Sequence, residues 1–225
     1  MRLTFIRHGE PAWTVAGRSV DDPDLTDRGR RQAELLADHI ADLSCDEVLV
    51  SPLARARQTA APLLEILGHE AGDAPWLAEI AAPPWEGAPE EQVTRTFAEG
   101  RARPVDEQWD GIPGGETFRA FHERVTGGLT EVLAERGARP VGPGSPLWEI
   151  EEPGHHIVFV AHAGTNAVAI GHLLGIQPVP WEWERFVMRH SSVSELAPYD
   201  TAGSCAFSLL RLNDVEHLDD DLRTR

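Results

Sequence analysis

No lysine occurs in this 225-residue chain; all 20 basic residues are arginine. That excludes Schiff-base chemistry and any phosphate loop built on lysine. Against the arginines stand 37 acidic residues, a net charge of −17, which argues against a general nucleic-acid role, since a phosphate backbone demands a basic surface. Cysteine is scarce: Cys45 and Cys205 cannot make a disulfide framework. No apolar run approaches the roughly 20 residues of a membrane span. The opening Met1-Arg2-Leu3-Thr4-Phe5-Ile6-Arg7-His8-Gly9 turns charged too early for the apolar region of a signal peptide. The expected address is the cytoplasm. His69, His155, His156, His172, His190 and His217 fall at no metal-ligand spacing, so no metal and no cofactor are expected.

What is present is the composition of a globular domain, 41% hydrophobic and 25% charged, long enough for one α/β core. Leu3 to Ile6 is a short apolar run ending in Arg-His-Gly. Thr26 caps a helix with Ala33, Leu36, Ala37, Ile40 and Leu43 at helical spacing. Glu47 to Val50 predicts a strand, and Ser51-Pro52 predicts a helix start with Ser51 as cap, bent at Pro62. A helix is predicted from Glu116 to about Arg136, a doubly buried strand from Ile157 to Ala161, and a helix from Gly164 to Leu174. A last strand, Cys205 to Leu212, precedes an acidic tail (213–225) predicted to fray, and 137–154 reads as a long Pro/Gly-rich loop. Strands alternating with helices predict a single three-layer α/β domain over 1–225. Its central sheet should be mostly parallel, with ligands at the carboxyl ends of the strands. His8 and His162 both sit at such ends.

Metal-free phosphoryl transfer needs a nucleophile, fixed positive charge around the equatorial oxygens, and an acid for the leaving group. Arg7-His8-Gly9 can supply the first two, since a neutral imidazole attacks phosphorus and a guanidinium holds two oxygens. Arg55, in the first turn of a helix, adds a second guanidinium where the dipole favours an anion. Val160-Ala161-His162-Ala163-Gly164 brings a second histidine, read as a protonated oxyanion partner, onto a helix start.

In order along the chain these segments resemble the histidine phosphatase superfamily, in the branch that also holds cofactor-dependent phosphoglycerate mutases. The resemblance rests on Arg7-His8-Gly9-Glu10 with Trp13, Leu25-Thr26 with Gly29 and Gln32-Ala33, and Ser51-Pro52-Leu53 through Arg55-Ala56 and Gln58-Thr59. It continues in Leu77-Ala78-Glu79-Ile80 with Trp85-Glu86-Gly87, Gly114-Gly115-Glu116 with Phe121 and Arg124-Val125, and His162. It implies a phosphoglycerate mutase-like fold and hydrolysis of a small organic phosphate monoester through a phosphohistidine on His8. Arg7, Arg55 and His162 would form the phosphate pocket, with Thr14 and Ala163 as further substrate contacts. Glu79 would protonate the leaving oxygen and then accept a proton from water. Glu10 and Glu86 would support, and Arg57 would make a structural ion pair.

The chain also departs from the pattern. Thr14 stands where many members have asparagine, Ala163 and Pro83 where many have glycine, and Asn166 where many have another residue. Two alternatives remain: a phosphoglycerate mutase, for which only Arg101 and Arg103 of the variable cap (83–111) offer extra positive charge, and a catalytically silent binding or regulatory protein. The implied partner is a small phosphorylated metabolite, with no nucleic acid and no membrane; a homodimer is allowed. Trp181-Glu182-Trp183-Glu184 reads equally as an aromatic pocket wall or as core packing.

Overall fold

Alternation along two central strands sets the layers. In the computed structural model, which describes residues 1–225, Leu3 and Phe5 of β1 (Arg2–Arg7) point to one face and Ile6 to the other. A two-strand ribbon, β2 (Thr14–Val15) and β3 (Arg18–Ser19), follows. Then come α1 (Asp27–His39), β4 (Glu47–Val50), α2 (Ala54–Leu67) and β5 (Ala71–Asp73). The segment that follows carries α3 (Glu90–Ala102) and α4 (Val105–Gln108). Next are α5 (Phe118–Glu135), β6 (Ala138–Pro140), β7 (Leu147–Ile150), β8 (His156–Ala161), α6 (Ala163–Leu173) and α7 (Glu182–Arg185). A long hairpin, β9 (Val193–Thr201) and β10 (Ser204–Asp214), completes the sheet. No helix is long and apolar enough to cross a membrane.

One sheet runs β5-β4-β8-β1-β9-β10-β7-β6. Its site-bearing half, β5, β4, β8 and β1, is parallel, and the hairpin strands and β6–β7 add antiparallel neighbours. On β8, Ile157, Phe159 and Ala161 join Phe121, Val125, Leu129 and Leu133 of α5 and the apolar face of α6. Val158 and Val160 face Leu36 and Ile40 on the α1 side and Ala60 and Leu63 of α2. Period 2 in the strands and 3.6 in the helices thus give a single three-layer domain.

Three local expectations fail. The stretch 137–154 is a β-hairpin, not a long loop: β6 pairs with β7, and Trp148, fully buried, faces Cys205 of β10. Its prolines and glycines sit mostly in the turn between strands too short to show a period. The tail is not frayed, because Val215 and Leu218 are buried between its acidic residues and a 3₁₀ turn follows at Asp220–Leu222. Ser51 does not cap α2, which begins at Ala54; Pro62 lies inside that helix without ending it. Trp183 packs against Phe118, ring centroids 5.2 Å apart, and Glu182 is buried beside Gly171, so this segment is packing rather than a pocket wall.

Candidate active site

Register brings the histidines together. Arg7 at the end of β1 pairs with Ala161 at the end of β8, so the next residues, His8 and His162, emerge side by side with ring centroids 5.0 Å apart. Val50 of β4 pairs with Val160, so Ser51 leaves the third strand next to them. This is the carboxyl edge of a parallel sheet, where open α/β sheets hold ligands.

His8 is buried, and its Nδ1 lies 2.7 Å from the Gly9 carbonyl. A carbonyl only accepts, so Nδ1 carries the proton and Nε2 keeps its lone pair. Burial, then the charges of His162, Arg7 and Arg55, hold His8 well below the ordinary histidine range, so the ring is neutral at pH 7. Arg7 donates to the Met188 carbonyl at 2.6 Å and to His190 Nε2 at 2.9 Å, and burial lowers its pKa only to about 10, leaving it a cation. Arg55 is buried on α2, with the exposed Trp13 ring over its guanidinium at 4.7 Å and Asp22 at 3.4 Å.

The expected protonation of His162 is corrected. Complete burial, then Arg55 and Arg7, push its pKa well down, so the ring is neutral. It can still donate: Nε2 lies 2.7 Å from Ser51 Oγ, which accepts the Leu53 N–H at 3.4 Å and keeps both its proton and a second lone pair, so the hydroxyl can serve either tautomer of the ring. When the hydroxyl donates to Nε2, the imidazole proton sits on Nδ1 and faces the site. Arg7 Nε, Arg55 Nε and His162 Nδ1 are all buried and without a protein acceptor. Three orphaned donors around a nucleophilic nitrogen suit a tetrahedral oxyanion.

Glu79 follows a 3₁₀ turn at Pro75–Leu77, and its carboxylate accepts the Gly164 N–H at 2.9 Å and the Thr165 hydroxyl at 3.4 Å, at the start of α6. A Cβ on Gly164 would lie 2.5 Å from Glu79 Oε1, so only glycine admits the carboxylate here. Ala163 opens α6 directly after His162, and Thr14, half-buried on β2, pairs with Ser19 without a side-chain hydrogen bond. Asn166 is fully buried in the first turn of α6 with both amide atoms unpartnered. Glu10 accepts from Thr26 at 3.0 Å and pairs with Arg28; Glu86 accepts the Asp21 N–H at 3.0 Å; Arg57 pairs with Asp73 at 3.2 Å.

Residues that the sequence shows as motif letters without a role hold this set. Arg124 donates to the Trp76 and Ala78 carbonyls at 2.9 and 3.0 Å, fixing the segment that carries Glu79. Thr59 accepts the Gly9 N–H at 2.9 Å, and Gln32 accepts the Glu10 N–H at 2.8 Å. A Cβ on Gly29 would lie 2.2 Å from the Glu10 carbonyl, so glycine lets α1 abut this loop. Their signal was present only as scattered motif letters.

The profile of the histidine phosphatase superfamily (branch 1) matches residues 3–142. Phosphoserine phosphatase 1 of Hydrogenobacter thermophilus is 34% identical over 135 residues, 59% of this chain and 64% of the relative, less than two thirds of its length. A Serratia proteamaculans protein named "Probable phosphoglycerate mutase GpmB" is 30% identical over 145 residues, 63% of this chain and 67% of the relative. The structure of the alpha-ribazole phosphatase from Shigella flexneri superposes with a TM-score of 0.71 at 26% identity, covering 95% of this chain and 96% of that one. With its strand-end histidines and the profile over most of its length, the chain belongs to the histidine phosphatase superfamily.

Proposed function

We propose that this protein is a metal-independent phosphatase that hydrolyses a small organic phosphate monoester through a phosphohistidine on His8. One observation carries the reading: a buried, neutral His8 with a free Nε2 stands beside His162; Arg7 Nε, Arg55 Nε and His162 Nδ1 are buried without a protein partner; and Glu79 stands at the adjoining helix start. Nε2 attacks phosphorus, the bond to the leaving oxygen breaks, and Glu79 in its acid form supplies that oxygen with a proton. The Glu79 carboxylate then takes a proton from water, whose oxygen attacks phosphorus. The P–N bond breaks and its electron pair returns to Nε2. The charge of the transferring group falls on Arg7, Arg55 and His162, which replace the cation that a metal enzyme would use.

A mutase shares the first half of this chemistry, and one relative bears that name. It must also hold the carboxylate of phosphoglycerate. Arg124 is committed to Glu116 and to main-chain carbonyls, Arg103 is bonded to the Gly111 carbonyl, and Asp22 presents a carboxylate to Arg55. Hydrolysis therefore fits better. The net charge of −17 also opposes extended polyanions and favours a small metabolite.

The test is a leaving-group comparison in EDTA. The parent should hydrolyse an activated aryl phosphate after exhaustive chelation, and His8→Ala should abolish both turnover and an acid-labile phosphoenzyme. Glu79→Gln should slow an alkyl phosphate by about 10²–10⁴-fold while sparing the aryl ester, which leaves without a proton. Activity that EDTA abolishes and a divalent ion restores would overturn the mechanism.

A further inference from the structure

Beyond the residues that meet the substrate, a segment near the end of the chain is fastened to the back of the phosphate-gripping loop. We propose that Thr224 is a positioning residue that locks Arg7 and the Arg7–Glu10 loop in their working geometry. This inference rests on the phosphatase reading above.

The donor–acceptor logic is closed. A guanidinium only donates, so His190 Nε2, 2.9 Å from the Arg7 guanidinium, accepts. The ring proton must then be on His190 Nδ1, which donates to Thr224 Oγ1 at 2.9 Å. The same oxygen accepts from the Gln32 amide at 2.9 Å, and that amide donates again to the Leu222 carbonyl at 2.6 Å. Gln32 Oε1 accepts the Glu10 N–H at 2.8 Å. The Thr224 carbonyl meanwhile accepts the His190 N–H at 3.2 Å. One hydroxyl oxygen therefore joins two chains of contact, one ending on Arg7 and the other on Glu10. His8 lies between those ends, its ring 5.6 Å from that of His190.

The Arg7 guanidinium is held on one side by the Met188 carbonyl and His190, and its Nε is free for a ligand. If Thr224 no longer accepts, the His190 ring can turn and Arg7 loses one of its two anchors. A misplacement of about 1 Å at such a group costs up to about 10²-fold in rate.

Three variants and three readouts decide the matter. Thr224→Val keeps the shape and removes the acceptor; Thr224→Ser keeps the acceptor; ending the chain after Leu222 removes the residue. Thr224→Val and the shortened chain should lose about 10- to 100-fold in kcat on an aryl phosphate, and Thr224→Ser should recover the parent value. Inorganic phosphate, measured by calorimetry, should bind correspondingly more weakly to Thr224→Val, and the nitrogen NMR signals of His190 should lose the Nδ1–H tautomer pattern. A folded Thr224→Val with kcat, phosphate affinity and His190 signals within twofold of the parent would overturn the proposal. If valine prevents folding, the shortened chain gives the same comparison. If both fail to fold while Thr224→Ser folds, Thr224 holds the fold as a whole and the positioning role is overturned. A parent that binds phosphate but turns over no ester would overturn the phosphatase reading alone, with the binding comparison still deciding the role of Thr224.

Discussion

Ser51 shows how a residue of modest chemistry sets the state of a catalytic one. Its side chain is fully buried, and its hydroxyl has His162 Nε2 as partner on one side and the Leu53 N–H on the other. The hydroxyl has a proton to give the imidazole, and with that proton on the Nε2 side His162 presents Nδ1–H to the oxyanion although burial keeps the ring neutral. In Ser51→Ala nothing fixes the tautomer, and the donor is present in only part of the population. Losing such a donor outright costs about 10²–10³-fold in kcat, so Ser51→Ala should fall between tenfold and that limit. The thermal midpoint should move little. Unchanged kcat in a folded variant would show that His162 donates without help from Ser51.

At the scale of elements, the start of α6 does two jobs: it follows His162 and it grips Glu79 through the Gly164 N–H. Gly164→Ala should separate stability from activity. Alanine improves helix propensity by about 1 kcal/mol over glycine, while the new Cβ displaces the flexible Glu79 carboxylate, which would otherwise lie 2.5 Å away. The variant should melt no lower than the parent yet lose about 10²-fold on alkyl phosphates, with aryl phosphates little affected. Equal rates on both esters in the variant and the parent would remove Glu79 from the acid role. The sequence made part of this element legible. Ile157–Ala161 read as a buried strand, and a histidine leaving it onto a helix read as an anion site. Which atoms of His162 are free did not, since that depends on Ser51, 111 positions away and brought near only by strand register. Other causes hid β9, whose Val-Ser-Glu-Leu-Ala-Pro-Tyr-Asp-Thr follows no clear alternation, and the ordered tail, whose charge masked the anchors Val215 and Leu218.

Over the whole molecule, burial disfavours the charged form of seven of the ten histidines, and this gives stability a sign with pH. His8 and His162 lie well below the ordinary value of 6.5, His190 is lowered to about 3 and His217 to about 4, each first by burial. His122, His156 and His172 shift the same way. A lowered folded pKa means that the unfolded chain binds more protons, so stability rises with pH in this window. It is fully present above about 6.5 and is lost as pH falls from there toward the folded values. Each buried histidine kept neutral withdraws up to about 1.4 kcal/mol per pH unit below that point. Glu47, lowered by Arg136 and His155, adds a loss of the same sign, but only below its ordinary 4.5. Glu182, raised by burial, acts in the opposite sense above 4.5, between its ordinary value and its folded one. Urea midpoints should therefore be level from about pH 8 to 7 and fall steadily from about 6.5 to 5, with m unchanged. His190→Gln should flatten that slope, because one of the contributing rings is gone. A parent midpoint constant across this range would mean that the folded protein takes up protons as readily as the unfolded chain, and that the nucleophile His8 is charged where the mechanism needs it neutral.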